Sequence, residues 1–213
     1  MFVRERMTVN PLTVAETTPV FEADELLRKN NIARLPVVKD GKLIGIITQE
    51  DLLKVSPSQA TTLSVWELNY VLSKLQVKDG MTKNPIAISP DATLEEAAVI
   101  MRDKKVGALP VVEDEKLIGI ITESDIFDAF LELMGLKKTG TRLTIDVEDR
   151  IGAIADLTEI IKKQGINIIS MALFHSLDNQ GKLVLRLESN QSDQVIKEIR
   201  SQGFKVVHIA NWS

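Results

Sequence analysis

The segment LPVVKDGKLIGIITQED occupies residues 35–51, and it returns as LPVVEDEKLIGIITESD at residues 109–125. The offset of 74 residues holds without a gap over residues 3–54 and 77–128, where 21 of 52 positions are identical. A repeat this regular is one structural unit used twice. We therefore expect two similar units that face each other across a pseudo-twofold axis.

The repeated unit carries a mixed pattern of strands and helices. A short strand is expected over 12–14, and apolar residues at spacings of three and four then predict a helix over 19–30. Two apolar runs that predict strands follow, 33–38 and the β-branched-rich 43–47, and the Asp-Gly pair between them is typical of a hairpin turn. A short helix over 48–55 ends the unit, and the second copy repeats this order.

A further helix is expected between the copies. Apolar residues after Thr62 recur on one helical face, which predicts a connecting helix within 57–76. Two interpretations stand: this helix packs on the core, or it takes part in an oligomer interface with Trp66 and Tyr70 as anchors.

The chain changes character after the second copy. A short basic linker with glycine at both ends occupies 135–140, and residues 141–213 then follow the order β-α-β-β-α-β. This order within about 70 residues is the split βαβ, or ferredoxin-like, arrangement. The sequence therefore predicts an α+β protein with a smaller domain behind the repeats.

Composition narrows the classes of function. The chain has no cysteine and two histidines, which argues against thiol catalysis and a histidine-rich metal site. Its formal net charge of −4 does not indicate a nucleic-acid or membrane partner. No run approaches the roughly 18 apolar residues of a membrane helix, and the first residues lack an apolar signal core. We expect a cytoplasmic protein.

The motifs of common enzymes are missing from the sequence. Neither a P-loop nor a G-x-S-x-G motif occurs, no paired carboxylates stand out, and no basic helix-turn-helix is visible. We therefore expect neither an enzyme nor a DNA-binding regulator.

The best candidate for chemistry is Thr48-x-x-Asp51, with its twin Thr122-x-x-Asp125, where a predicted strand meets a predicted helix. Two interpretations stand. Such a pair forms a capping box, which satisfies backbone N–H groups without any ligand. Alternatively, a helix start attracts phosphate, and an ionised carboxylate, which only accepts hydrogen bonds, suits two ribose hydroxyls.

Three motifs recur in both copies. They are Met7-Thr8-x-x-Pro11, Leu35-Pro36-Val37-Val38 and Gly45-Ile46-Ile47-Thr48-x-x-Asp51, with twins Met81-Thr82-x-x-Pro85, Leu109-Pro110-Val111-Val112 and Gly119-Ile120-Ile121-Thr122-x-x-Asp125. With these motifs both copies resemble cystathionine-β-synthase (CBS) domains, and the pair resembles a Bateman module. The resemblance implies an adenosine-type ligand, namely AMP, ADP, ATP or S-adenosylmethionine, in clefts between the paired domains, and no catalytic cofactor.

The resemblance also implies roles for individual residues. Asp51 and Asp125 would hold ribose hydroxyls, and Thr48 and Thr122 would lie near the ribose-phosphate. The backbone on either side of the base would come from two segments, Ala33, Arg34, Leu35 and Pro36 in the first copy and Gly107, Ala108, Leu109 and Pro110 in the second.

The two copies differ where Ala33-Arg34 corresponds to Gly107-Ala108. We hypothesise that Arg34 contacts a ligand phosphate, so that a charged nucleotide prefers the first site. The alternative is a solvated arginine. Replacing Arg34 by alanine should weaken AMP or ATP far more than adenosine in calorimetry, and equal effects would contradict the hypothesis.

The C-terminal part contains the motifs Asp149-Arg150-x-Gly152 and Gly165-Ile166-Asn167-Ile168. With them it resembles an ACT domain, a small amino-acid-sensing fold, although Ile151 stands where the family often has proline. The resemblance implies an amino-acid pocket that includes Gly152 and Asn167, usually across a subunit interface. The alternative is a structural, dimerising ACT domain.

The combination resembles the AcuB-type acetoin utilisation proteins. It implies a nucleotide-sensing regulator, expected to be a homodimer, that acts on a metabolic enzyme in acetoin or acetyl-CoA metabolism. The alternatives are an enzyme or accessory subunit of acetoin breakdown, and a purely structural interaction protein. The expected limits are 1–56 for the first CBS repeat, 57–76 for the connecting helix, 77–135 for the second repeat and 141–213 for the ACT domain.

Overall fold

The computed structural model describes residues 1–55, 74–148, 150–175, 181–189 and 192–212. Helices and antiparallel strands are mixed in two units, 1–126 and 127–213, which confirms the α+β class. No helix in the described ranges is long and apolar enough to cross a membrane. The α-helices are α1 (Val20–Lys29), α2 (Gln49–Val55), α3 (Leu94–Lys104), α4 (Glu123–Leu133), α5 (Ala153–Lys163) and α6 (Asp193–Ser201), and the strands are β1 (Thr8–Val9), β2 (Arg34–Lys39), β3 (Lys42–Thr48), β4 (Thr82–Lys83), β5 (Ala108–Glu113), β6 (Lys116–Thr122), β7 (Gly140–Val147), β8 (Ile168–His175), β9 (Gly181–Leu187) and β10 (Lys205–Trp212).

Most of the predicted connecting helix lies outside the described residues, and so do Trp66 and Tyr70. The helix predicted over 19–30 is α1, which buries Val20, Ala23 and Leu27 in the core and leaves Phe21 exposed. The strand predicted over 12–14 is wrong, because only Val14 reaches β2, where it makes a single bridge.

The repeated segment folds as an antiparallel hairpin in each copy. Strands β2 and β3 place Leu35 opposite Ile47, and β5 and β6 place Leu109 opposite Ile121 in the same register. All four side chains are fully buried. Both residues of each two-residue turn have positive φ, as hairpins with such turns require.

Two short strands cross between the copies. Strand β1 pairs with β6, with Thr8 opposite Ile120, and β4 pairs with β3, with Thr82 opposite Ile46. The two pairings become identical under the 74-residue shift, and the six strands belong to one sheet. The copies are therefore related by the predicted pseudo-twofold axis.

Glycine is required where the crossing strands approach the hairpins. A Cβ on Gly45 would lie 2.6 Å from Met81 Sδ, and a Cβ on Gly119 would lie 2.5 Å from Met7 Sδ. Each copy therefore supplies a methionine that packs against the glycine of the other copy.

The crossing segments also complete the hydrophobic cores. Val77, from the leading segment of the second copy, is fully buried in the core cluster of the first copy. Val3 is likewise fully buried, and its N–H donates to the Ala92 carbonyl at 2.9 Å. Each copy therefore depends on the other for part of its packing.

The second unit has the predicted ferredoxin-like arrangement. Its antiparallel sheet has the order β10-β7-β9-β8, and the chain follows β7-α5-β8-β9-α6-β10. Alternate residues of β7 and β9, such as Leu143 and Leu185, form the core with Leu157 of α5 and Ile199 of α6. The two helices therefore cover one face of the sheet.

The opposite face of this sheet holds a buried arginine. Arg186 on β9 is 4% exposed, and its Nε donates at 3.1 Å to the carbonyl of Met134, just after α4. Arg142 lies directly opposite on β7, and the Trp212 ring is 5.7 Å away. Burial, and then the charge of Arg142, lower the pKa of the Arg186 guanidinium. A cation at the end of a helix is favourable there, which offsets part of this cost.

Candidate functional site

Both Thr-x-x-Asp sequences form a capping box. Asp51 Oδ2 accepts hydrogen bonds from the Thr48 N–H at 3.0 Å and the Thr48 hydroxyl at 2.7 Å, while the Asp51 N–H donates to Thr48 Oγ1 at 3.2 Å. Thr122 and Asp125 repeat the three bonds at 2.8, 2.7 and 3.4 Å. The capping interpretation therefore holds. The box uses only one oxygen of each carboxylate, so it is compatible with a ligand on the other.

Two clefts lie between the copies, and each is lined by the threonine of one of these pairs. The Thr48 cleft has a volume of about 420 Å³ and is lined by both Thr48 and Asp51. The Thr122 cleft has a volume of about 530 Å³ and is lined by Thr122, but Asp125 is not among its lining residues. Both volumes lie in the range of small-molecule sites.

Each cleft combines the strand end of one copy with two segments of the other. The Thr48 cleft takes residues from 82–86 and 105–108, and the Thr122 cleft takes residues from 8–12 and 31–36. The 74-residue shift converts most of one lining into the other. The crossing of β1 and β4 produces this arrangement, because it carries the leading segment of each copy to the hairpin of its partner.

The residues predicted to flank the base divide into two groups. The first group lines a cleft. The Thr122 cleft is lined by Ala33, Arg34 and Pro36, and the Thr48 cleft by Arg34, Gly107 and Ala108. Leu35 and Leu109 are fully buried, and Pro110 is buried but lines neither cleft. Strand alternation explains the two leucines, because it turns their side chains to the cores.

Sequence reasoning missed the asparagines of the clefts. Asn10 lines the Thr122 cleft and Asn84 lines the Thr48 cleft. Both have a φ of 48°, and their N–H groups donate to the carbonyls of Ile118 and Ile44 at 3.1 Å. The Asn-Pro pair is identical in the two copies, and asparagine tolerates this left-handed backbone better than most residues. The repeated Asn-Pro pair could therefore have pointed to these two asparagines from the sequence.

Arg34 lines both clefts. A Cβ on Gly107 would lie 3.2 Å from each terminal nitrogen of Arg34 and 3.2 Å from Glu123 Oε2. Glycine at 107, where the first copy has Ala33, therefore leaves room for the guanidinium. Ala108, the counterpart of Arg34, is buried and brings no charge.

The Thr48 cleft has mixed charge. Arg34 and Lys105 supply two cations, and Glu50 and Asp51 supply two carboxylates. Glu50 is held by Lys54 at 2.9 Å, and this hydrogen bond raises the pKa of the Lys54 amine. Within the described ranges, no group of three or more acidic or histidine side chains is placed to hold a metal ion.

The predicted amino-acid site is not assembled within one chain. Gly152 is the exposed N-cap of α5 with a φ of 88°, and no atom lies within 4 Å of its Cβ position. Asn167 lies beyond the other end of the 11-residue α5, a helix about 16 Å long, and donates to Glu188 Oε2 at 2.9 Å. A pocket with both residues needs a second copy of the chain, so this site stays a prediction.

The chain belongs to the CBS-domain family. The family model matches residues 3–58 and 75–132, and a model for the TTHA0829-like ACT domain matches residues 139–210. These matches confirm the predicted order of two CBS domains and an ACT domain.

Similar solved structures are CBS-domain proteins. CBSX2, solved in complex with AMP, is 35% identical with a TM-score of 0.53, over 62% of this chain and 97% of that one. The acetoin utilization protein AcuB from Vibrio cholerae is 30% identical with a TM-score of 0.53, over 64% and 95%, which supports the AcuB-like resemblance. The CBS pair of MJ0100, in complex with 5′-methylthioadenosine and S-adenosyl-L-methionine, is 30% identical with a TM-score of 0.50, over 61% and 99%.

The similar proteins found by sequence differ in the fraction of their own length that this chain covers. Protein MJ1426 of Methanocaldococcus jannaschii is 34% identical, over 62% of this chain and 92% of its own length. Inosine-5′-monophosphate dehydrogenase of Korarchaeum cryptofilum is 38% identical over 54% of this chain, but the match covers 21% of that enzyme.

Proposed function

We propose that the protein is a regulatory sensor that binds an adenine nucleotide between its two CBS domains. The observation that carries the proposal is the pair of clefts, largely equivalent under the 74-residue shift, each lined by a threonine that is bonded to the aspartate three residues on. Similar CBS pairs solved with AMP, or with 5′-methylthioadenosine and S-adenosylmethionine, support an adenosine-containing ligand.

The threonine and aspartate pairs serve as the ribose end of each site. Asp51 keeps its Oδ2 in the cap and accepts ribose hydroxyls through Oδ1, and Thr48 lies near the ribose-phosphate. Asp125 and Thr122 act in the same way in the second cleft. The carboxylate suits this role because it accepts hydrogen bonds and its position is fixed by the cap before a ligand arrives.

Arg34 is the phosphate-binding residue in this proposal. Its guanidinium can form two parallel hydrogen bonds to a phosphate, which are stronger than bonds between neutral groups. Its position at both clefts supports the role. AMP, ADP and ATP are therefore the preferred ligand class, and S-adenosylmethionine is the alternative.

The sensor passes ligand binding to a partner. Nucleotide binding shifts the relative position of the two CBS domains, and the linker at 135–141 transmits the change to an ACT dimer and then to a metabolic enzyme. Such coupling requires that the nucleotide bind two states with unequal affinity. Similarity to AcuB supports acetoin or acetyl-CoA metabolism as the setting. The ACT pair either binds an amino acid at Gly152 and Asn167 or serves as a dimerisation module.

A thermal-shift and calorimetry screen of the full chain tests the proposal. It covers AMP, ADP, ATP, S-adenosylmethionine and the standard amino acids, with Asp51→Ala and Asp125→Ala as variants. We expect at least one adenine compound to bind and both variants together to abolish binding. Binding that survives both substitutions, or no binding of any adenine compound, would contradict the nucleotide-sensor function.

A further inference from the structure

We propose that the two clefts share Arg34, so that a phosphorylated nucleotide in one cleft lowers the affinity of the other cleft for a second. This inference rests on the proposed function and adds a regulatory property to it. Arg34 lines both clefts, whereas Ala108, its counterpart in the second copy, has no charged group to offer. One guanidinium therefore stands where a fully symmetric pair of CBS domains would have two or none.

The position of Gly107 shows why one side chain can serve both sites. Gly107 also lines both clefts, and the two terminal nitrogens of Arg34 lie at equal distances of 3.2 Å from its Cβ position. The guanidinium thus lies over the glycine, at the place where the clefts adjoin. A small change in the side-chain torsions of Arg34 directs its donors to one cleft or the other, but its rigid fork binds one phosphate at a time.

The remaining charges make the competition unequal. Among the residues lining the Thr122 cleft, Arg34 is the single cation, and Glu123 is the single acid. Among the described residues that line the Thr48 cleft, Lys105 is the only other cation, and Glu50 and Asp51 carry carboxylates. When a phosphate in one cleft engages Arg34, the other cleft loses the guanidinium and keeps the carboxylate of Glu123 or of Asp51. A second phosphate there is disfavoured.

An uncharged nucleoside does not enter this competition. Adenosine presents the same base and ribose as AMP but has no phosphate, so it requires no guanidinium. The sharing of Arg34 therefore predicts that the two clefts differ in affinity more for AMP than for adenosine, although the two ligands have almost the same shape. The consequence is a sensor that responds at low concentration to one phosphorylated nucleotide per chain.

Calorimetric titration of the full chain with AMP and with adenosine tests the sharing. For each compound, the ratio between the affinities of the two clefts is measured. We expect the ratio for AMP to exceed the ratio for adenosine by roughly tenfold or more, which is the usual effect of one charge-assisted hydrogen-bonding pair. In Arg34→Ala the tighter AMP affinity should fall and the excess should disappear, while adenosine binding stays unchanged.

Arg28→Ala is the matched control, because Arg28 is an exposed cation on α1 that pairs with Asp24 and lines neither cleft. This variant should retain the unequal AMP affinities. Equal ratios for AMP and adenosine, or an AMP excess that persists in Arg34→Ala, would overturn the sharing while adenosine binding still supports the nucleotide sites. Failure of both compounds to bind would instead overturn the proposed function, and this inference with it.

Discussion

Thr48 and Asp51 perform a structural task that any ligand role must accommodate. Their three hydrogen bonds satisfy backbone and side-chain groups at the start of α2, and the same bonds recur between Thr122 and Asp125 at α4. A variant that removes the carboxylate therefore changes stability as well as any binding. An asparagine can keep one oxygen acceptor for the cap, but its second group is a donor. Alanine and asparagine together separate the two roles.

Asp51→Ala should lower the free energy of unfolding by about 0.5–1.5 kcal/mol, because it removes the acceptor of the Thr48 N–H and hydroxyl while the N–H of residue 51 can still donate to Thr48 Oγ1. Asp125→Ala should have a similar effect, since its cap has nearly the same geometry. Urea denaturation of both variants measures the loss. Unchanged stability in both would show that the boxes contribute nothing, whereas Asp51→Asn should lie closer to the parent protein than Asp51→Ala.

The crossing strands are the elements that make two CBS copies into one unit. Gly45→Ala should destabilise the protein by roughly 1–3 kcal/mol, because the new Cβ would overlap Met81 Sδ and approach the Thr82 carbonyl. Gly119→Ala should behave alike, since Met7 and Thr8 occupy the equivalent positions. Thermal unfolding gives the size of both effects.

A second substitution distinguishes overlap at the crossing from a general intolerance of alanine in the strand. Adding Met81→Ala to Gly45→Ala should recover part of the loss relative to the sum of the single variants, because the overlapping sulfur is gone. Strict additivity of the two losses would contradict the packing described for this crossing.

An ion-pair cluster links three strands of the ACT sheet and should give it a pH-dependent stability. Asp146 on β7 accepts hydrogen bonds from Lys182 on β9 at 2.9 Å and pairs with Lys205 on β10 at 3.1 Å. Lys182 first, and then Lys205, hold the pKa of the Asp146 carboxyl below its ordinary value of 3.8. The stabilisation is therefore fully present above pH 3.8, and it is lost as pH falls through the lower pKa of the folded state.

Asp146→Asn should accordingly lower Tm at neutral pH and lose this difference from the parent protein in acid. Thermal scans from pH 7 down to pH 2.5 measure the difference, with Asp193→Asn, in the first turn of α6, as a control outside the cluster. A difference that stays constant across this range, or grows in acid, would contradict the assigned cause.

Much of the element pattern could be predicted from local sequence. The first hairpin follows from apolar runs around an Asp-Gly turn, the second follows because its sequence repeats the first, although its turn is Asp114-Glu115, and α1 follows from apolar spacing. The crossing strands could not be found in this way, because β1 and β4 are two residues long and carry no period. Their partners lie far along the chain, as Thr8 and Ile120 show. The prediction of a strand over 12–14 was wrong for a similar reason, since three residues are too few to establish an alternation.

At the scale of the whole molecule, the CBS pair should unfold as one body. Leu35 is fully buried in a core cluster that also contains Val77 of the second copy. Leu35→Ala should cost about 2–5 kcal/mol, and the loss should extend to both copies. Hydrogen exchange should show that the Leu109 and Ile121 amides lose as much protection as the Ile47 amide.

The solvent-facing substitution Lys39→Ala, in the same strand, should leave this protection nearly unchanged, because Lys39 is exposed and its surface ion pair with Glu16 contributes little to stability. If Leu35→Ala reduced protection in the first copy alone, the two copies would be independently stable. The exchanged packing would then not be the basis of the pair.

The residues of the candidate site could be predicted from the sequence motifs, but the way in which the two copies combine them into clefts could not. The motifs located Thr48, Asp51 and Thr122, and the structure has all three at cleft edges. Which segment of one copy faces which strand end of the other depends on the crossing of β1 and β4, and local sequence does not encode it. The place of Arg34 at both clefts follows from the same assembly.

Calorimetric titration of AMP into the parent protein and into Asp51→Asn/Asp125→Asn tests the central claim most directly, because asparagine can retain the caps while it replaces the acceptor for the ribose hydroxyls. The account predicts that AMP binds the parent protein and that the double variant, folded with nearly unchanged Tm, binds it at least about tenfold more weakly. Equal AMP affinity in the two proteins, or no AMP binding to the parent protein, would contradict it.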